Sequence, residues 1–163
     1  MQKIIVSDTK AITNLIAIDK IDILLAIFQV IVIPKEVYEE LCVLERNKIA
    51  IDAMTNISIK TVTNAGEVNA LSEGKGIDLG ESASIVLAQE TAADLLIIDE
   101  RKGRQAAEEL GLNVIGLLGV LRLGKHLGKI DKCKPILEDL LANGFRVNHR
   151  LYRSFLIEIN EDN

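Results

Sequence analysis

Five short runs of branched aliphatic residues, separated by longer stretches of helical period, constrain what this 163-residue chain can fold into. The runs are Ile4–Val6, Val30–Ile33, Ile57–Ile59, Leu95–Ile98 and Asn113–Ile115. They show little polar alternation, as expected of strands covered on both faces in a parallel sheet. Between them, Val37, Leu41 and Leu44 form one helical stripe, and Ile85, Val86 and residues 88–92 continue another. This alternation predicts an α/β fold, a three-layer sandwich around a mostly parallel sheet of roughly four to five strands with right-handed crossovers. Pro34 is expected at the first position of a helix, where its missing N–H costs nothing. Gly111 should end a helix begun near Arg101. The polar, Gly-bearing stretch 64–78 reads as a short helix plus a mobile loop, and residues 131–160 as two helices closing one side of the sheet. With no internal repeat and no long linker, residues 1–163 are expected to form a single domain.

Composition narrows the function classes. Hydrophobic residues at 48% and charged residues at 26% exclude a disordered tail or a low-complexity linker. Aromatics are only 3%, which argues against a surface that grips single strands by stacking bases on aromatic rings. The net charge of −5 hides an asymmetry: residues 1–100 hold 8 Lys and Arg against 16 Asp and Glu, residues 101–163 hold 11 against 8. A basic half beside an acidic half suits a phosphate ligand with metal-binding acids next to it; ordinary solvated helix faces would give the same counts. Cys42 and Cys133 make no disulfide framework, and His126, His149 and the cysteines lack zinc-ligand spacing. The most apolar stretch, residues 21–34, is interrupted by Asp22 and Gln29 and falls short of a membrane span. The N-terminus reads MQKIIVSD, without a charged-then-apolar leader, so a cytoplasmic location is expected.

Two strand-like segments, IIVSD ending at Asp8 and LLIID ending at Asp99, finish in an aspartate immediately before a helical segment. Ligands of open parallel sheets bind beyond the carboxyl ends of strands, so neighbouring strands would bring these acids together. Helix N-capping explains either aspartate taken singly. Glu40, in VYEEL on the helix after Pro34, and Glu81, opening ESASIVLA, are two more acids able to reach that edge. Surface exposure for Glu40 and attraction to the helix dipole for Glu81 are the plain alternatives. A cluster of four carboxylates stays ionised only if a cation neutralises it, and an all-oxygen set points to Mg²⁺ or Mn²⁺. Arg101, Lys102 and Arg104 follow Asp99 closely, and Arg122, Lys125 and Lys129 form a helical stripe; both groups could neutralise phosphates or simply be solvated. The GKG at 74–76 lacks the Ser or Thr and the preceding strand of a phosphate loop. A receiver-like fold would need an aspartate after the third strand, where Lys60 stands.

The ordered segments VSDTKAITNL, IPKEVYEEL, LGESASIVLA, ADLLIIDERKGRQAAEELGLNVIGLLGVL and ANGFRVNHRLY resemble the PIN-like nucleases, a likeness running from about residue 4 to 155. The resemblance implies a metal-dependent ribonuclease, as in the toxin components of toxin–antitoxin pairs. It implies that Asp8, Glu40, Glu81 and Asp99 hold one or two Mg²⁺ or Mn²⁺ ions, with Asp8 and Asp99 innermost. Thr9 and Asn14 would bind a ligand carboxylate or the phosphate, while Arg101, Lys102 and Arg104 would meet RNA. A small antitoxin protein and a second copy of the chain are the partners it suggests. Four positions depart from the family pattern. Lys10 and Ala11 replace a usual Ser-Pro, Ser84 stands where relatives often carry an acid, and Glu100 replaces a common Asp. These departures leave open a second function, a catalytically weak or inactive module that binds RNA or a partner protein. An outward-pointing Lys10 would be a helix-surface lysine; an inward one would compete with a cation or meet the phosphate.

Overall fold

The computed structural model describes residues 2–163. All five expected runs form strands: β1 (Ile5–Ser7), β2 (Ile31–Pro34), β3 (Ile57–Lys60), β4 (Leu95–Ile97) and β5 (Val114–Ile115). They make one sheet of order β3-β2-β1-β4-β5, every pair parallel. The chain steps outward from β1 through β2 to β3, then crosses back to place β4 on the other side of β1. The helices are α1 (Thr9–Ala17), α2 (Asp22–Phe28), α3 (Lys35–Cys42), α4 (Glu45–Asp52), α5 (Ala65–Lys75), α6 (Leu79–Glu90), α7 (Arg101–Glu109), α8 (Leu117–His126), α9 (Cys133–Ala142) and α10 (His149–Glu158).

Strand pleating sorts the core into two layers, because successive side chains point to opposite faces. Ile5, Ile31, Ile33 and Ile97 face one cluster, filled by Ile12 and Leu15 of α1, Leu117 and Leu121 of α8, Leu137 of α9 and Phe155 of α10. Val6, Val32, Leu96 and Ile98 face the other, against α5, α6, Ala106 and Ala107. This is the expected three-layer sandwich, and residues 131–160 do supply two helices to one side. Leu117 and Leu121 are wholly buried and so belong to the core, while Leu118 is half-buried. No helix is long and apolar enough to cross a membrane.

Four local expectations are corrected. Pro34 does not open α3 from within. It ends β2, paired with Lys60, and serves as the N-cap of α3 with extended backbone. Leu44 is 59% exposed, because α3 stops at Cys42 and the chain turns away into α4. The stretch 64–78 holds a helix of 11 residues rather than a short one, capped by the Asn64 side chain on the Glu67 N–H. The Arg122–Lys125–Lys129 stripe is broken because Lys125 turns inward, donating to the Glu161 carboxylate at 2.7 Å and to the Ile159 carbonyl.

Leu121→Ala should destabilise the protein by about 2–5 kcal/mol, because a fully buried side chain between helix and sheet leaves a cavity that rigid neighbours cannot fill. Urea unfolding read by circular dichroism measures the loss, and a cost below about 0.5 kcal/mol would contradict this packing.

Candidate metal centre

The strand order reverses between β1 and β4, and at such a point the connections part beyond the strand ends and leave a crevice. Asp8 follows β1 directly. Its N–H donates to the Ile97 carbonyl at 3.0 Å, so the segments carrying Asp8 and Asp99 leave the sheet side by side. Asp8 holds the N-cap position of α1, yet its carboxylate caps nothing. Both oxygens are buried without a hydrogen-bond partner, and the residue is 2% exposed. Burial raises its pKa to about 7; repulsion from Asp78 and Glu40 adds to the rise, while the Thr9 backbone and Lys10 oppose it.

Three other acids converge on it. Glu40 reaches across from α3, its Oε1 accepting the Gly80 N–H at 3.0 Å and its Oε2 the Thr9 hydroxyl. Any side chain on Gly80 would collide with that carboxylate. Asp78 caps α6, its Oδ1 accepting the Glu81 N–H at 2.9 Å. One oxygen from each of Asp8, Glu40 and Asp78 falls within 4.8 Å of the others. Glu81 is buried in the first turn of α6 with Oε1 unpartnered. Its other oxygen occupies room left by Gly103 of α7, whose Cβ would stand 2.9 Å away. Burial first, then Asp8 and Asp78, lift the Glu81 pKa to about 8.

Asp99 lies outside the tight trio. Its Oδ1 accepts the Leu117 N–H at 3.0 Å, so it caps α8 and not the helix that follows it in sequence. Its Oδ2 is buried and unpartnered, and burial raises its pKa against the Leu117 bond, Arg104 and Lys10. Neither aspartate's side chain therefore caps the helix that follows it: Asp8 caps nothing and Asp99 caps α8.

The remaining expected site residues divide. Thr9 holds Glu40. Asn14 lines a cavity of about 580 Å³ with Lys10, Thr13, Asp99 and Glu100. Arg101 and Arg104 line a hollow of about 430 Å³ that also reaches Asp99. Lys102 is exposed and takes no part in either. Lys10 is not the free surface lysine of the outward alternative: it ion-pairs with Glu100 in the cavity beside Asp99, and its charge is felt by Asp8, Glu81 and Asp99. Ser84 is turned back on its own helix, donating to the Gly80 carbonyl at 2.8 Å. Asp78 was missing from the sequence-derived set. The signal for it is present in D-L-G-E, residues 78–81, an N-cap acid three positions before a first-turn glutamate.

The parallel sheet gathers its acids where the strand order reverses, as in a nuclease-like fold. The family model described as a PIN domain matches residues 4–161, and the chain belongs to that family. No curated protein matches it. A divalent cation suits the donors found here: they are all carboxylate oxygens, and the buried oxygens of Asp8 have no other partner.

These acids have a sign consequence. Asp8 and Glu81 bind their protons more tightly folded than unfolded, so the unfolded chain ionises first and stability of the metal-free protein falls as pH rises from about 4 toward 7 and 8. Asp8→Asn should flatten that fall and stabilise the metal-free protein at pH 8 by on the order of 2 kcal/mol. Chemical denaturation in EDTA at pH 5 and pH 8 checks it, and an unchanged slope in the variant contradicts the burial of an ionised Asp8.

Proposed function

We propose that the protein is a divalent-metal-dependent ribonuclease that hydrolyses phosphodiester bonds at the β1–β4 crevice. One observation carries the reading: the Asp8 carboxylate is buried without a donor while the carboxylates of Glu40 and Asp78 stand beside it. An electrostatic arrangement this costly is sustained by a cation. Asp8, Glu40 and Asp78 would hold Mg²⁺ or Mn²⁺, with Glu81 and Asp99 completing the acidic set. A bound ion of this kind supplies a water of lowered pKa and stabilises charge on the phosphate.

The chain's own groups do the rest. Thr9 and the Gly80 N–H fix the Glu40 carboxylate so that it stays turned toward Asp8. The first N–H groups of α6 bond two of these acids, Gly80 to Glu40 and Glu81 to Asp78, and the helix dipole lowers the cost of gathering them. Arg101 and Arg104, on the first turn of α7 beside Asp99, would neutralise phosphates of the strand, and Asn14 would hydrogen-bond it from α1. Lys102 has weaker support, since it stands outside the cavities that reach Asp99. RNA as substrate, a toxin role with a small protein inhibitor, a homodimer and a cytoplasmic location rest on the family resemblance.

A second reading, a module that binds RNA or a partner protein without cleaving it, draws support from Lys10. Its ammonium sits beside the acids and is held there by Glu100, supplying part of the positive charge that a metal would bring.

Cleavage of RNA in Mn²⁺ separates the two. The wild type should cut, EDTA should stop it, and Asp8→Asn should lower the rate at least about 100-fold. A metal-replete wild type that cuts nothing supports the binding module. Gly80→Ala should leave the fold intact but push the Glu40 carboxylate away, weakening Mn²⁺ binding. The wild type should gain about 2.7 kcal/mol at a free metal concentration one hundred times Kd, and the variant should need more metal for the same gain. Identical metal titrations of thermal stability for the two proteins would remove Glu40 from the site.

A further inference from the structure

One sequence segment, ANGFRVNHRLY, is unused by the metal centre, yet the structure sets its middle against the crevice. Phe145 and Arg146 line the 580 Å³ cavity that holds Lys10 and Asn14. They also line a second groove of about 450 Å³ that holds Arg104 and Arg122. Asp99 is the third residue common to both, so the segment forms a wall between two openings that meet at the rim of the site.

The wall is firmly hung. Gly144, at φ +101, closes the end of α9, where the Phe145 N–H returns to the Leu140 carbonyl at 3.0 Å. Asn148 caps α10 through the Leu151 N–H at 2.8 Å. The Phe145 ring is half-buried against the core, so its position is set by packing.

Charge points to the occupant. In the two cavities Glu100 is taken up by Lys10, and Glu158 by Arg122 at 3.2 Å. Asp99 faces both cavities too, its charge eased by Arg104, while Arg146 has no carboxylate within 4.0 Å among the described residues, so Arg146 is the guanidinium left to meet an anion. A flat aromatic ring beside a free guanidinium suits one nucleotide, the base on the ring and the phosphate on the fork. The scarcity of aromatics argues against a stacking surface, and the clamp departs from that expectation at one place, where a single ring serves a single base.

We propose that Phe145 and Arg146 form a nucleotide clamp, which grips an unpaired RNA strand as it passes from the acidic crevice into the groove between α8 and α10. The proposal rests on the ribonuclease reading for the identity of the strand, and its test is kept apart from cleavage. A fluorescein-labelled, uridine-rich oligoribonucleotide of about 12 nucleotides is titrated with the full chain in EDTA across a range of salt, alongside a hairpin of the same length. Arg146→Ala should weaken binding and lower the salt slope by about one. Phe145→Leu keeps the apolar packing and removes the ring, and should weaken binding of the unpaired strand by about 5- to 100-fold while changing the hairpin far less.

Both variants binding as the wild type does would overturn the clamp, as would a wild type that binds no oligonucleotide. Equal losses for strand and hairpin in Phe145→Leu would also overturn it, by making the wall a general basic patch. Unchanged RNA binding with lost binding of a glutamate-rich amphipathic peptide would reassign the groove to a protein partner. A wild type that fails to cut RNA but shows the two variant effects leaves the clamp standing and removes the nuclease reading alone.

Discussion

A carboxylate taken out of water without a donor is among the least comfortable groups a protein can keep, and Asp8 is held in that condition by the sheet itself. It stands one residue past the central strand, where the backbone is committed to Ile97 and the side chain can turn only into the crevice. Neighbouring elements then bring more of the same charge. The cap of α6 supplies Asp78, its first turn Glu81, and α3 leans Glu40 over the Gly80 N–H. Each contact is locally favourable, since a helix N-terminus welcomes an acid. Their sum is not, and the raised pKa values of Asp8 and Glu81 record it.

The geometry explains why three glycines recur around these acids. Gly80, Gly103 and Gly116 stand where a methyl group would collide with or crowd the carboxylates of Glu40, Glu81 and Asp99 respectively. The backbone approaches each carboxylate closely, so the site is shaped as much by absent side chains as by present ones. Lys10 enters this frame as a cation that moderates Asp8, Glu81 and Asp99 together, and Glu100 keeps it from dropping fully among them.

Much of this was legible in the sequence. Unalternating Ile, Leu and Val runs marked all five strands, because a sheet covered on both sides has no polar face to show. The two strand-end aspartates marked the edge where the site lies. What the sequence hid was set by tertiary contact. Leu44 keeps the helical period of Val37 and Leu41, but the period says nothing of where α3 stops. Asp78 reads as a helix cap, which it is; only its closeness to Asp8 and Glu40 makes it a candidate ligand as well. The plain alternative for Asp99, capping its own following helix, fails because it caps α8 instead, where β5 returns the chain beside it. Lys10 could not be oriented without knowing that Glu100, far along the chain, lies across from it.

The far end of the chain is stitched back into the body at Glu161. One of its oxygens receives the Cys133 N–H and the Lys125 ammonium, the other the Lys134 N–H. Helix α9 has no side-chain cap of its own at Lys132, and takes this one from 28 residues downstream of its first residue. Losing Glu161 would therefore reach well beyond its own position. The start of α9 would come unfastened, and the half-buried Lys125 would be left with the Ile159 carbonyl as its remaining partner.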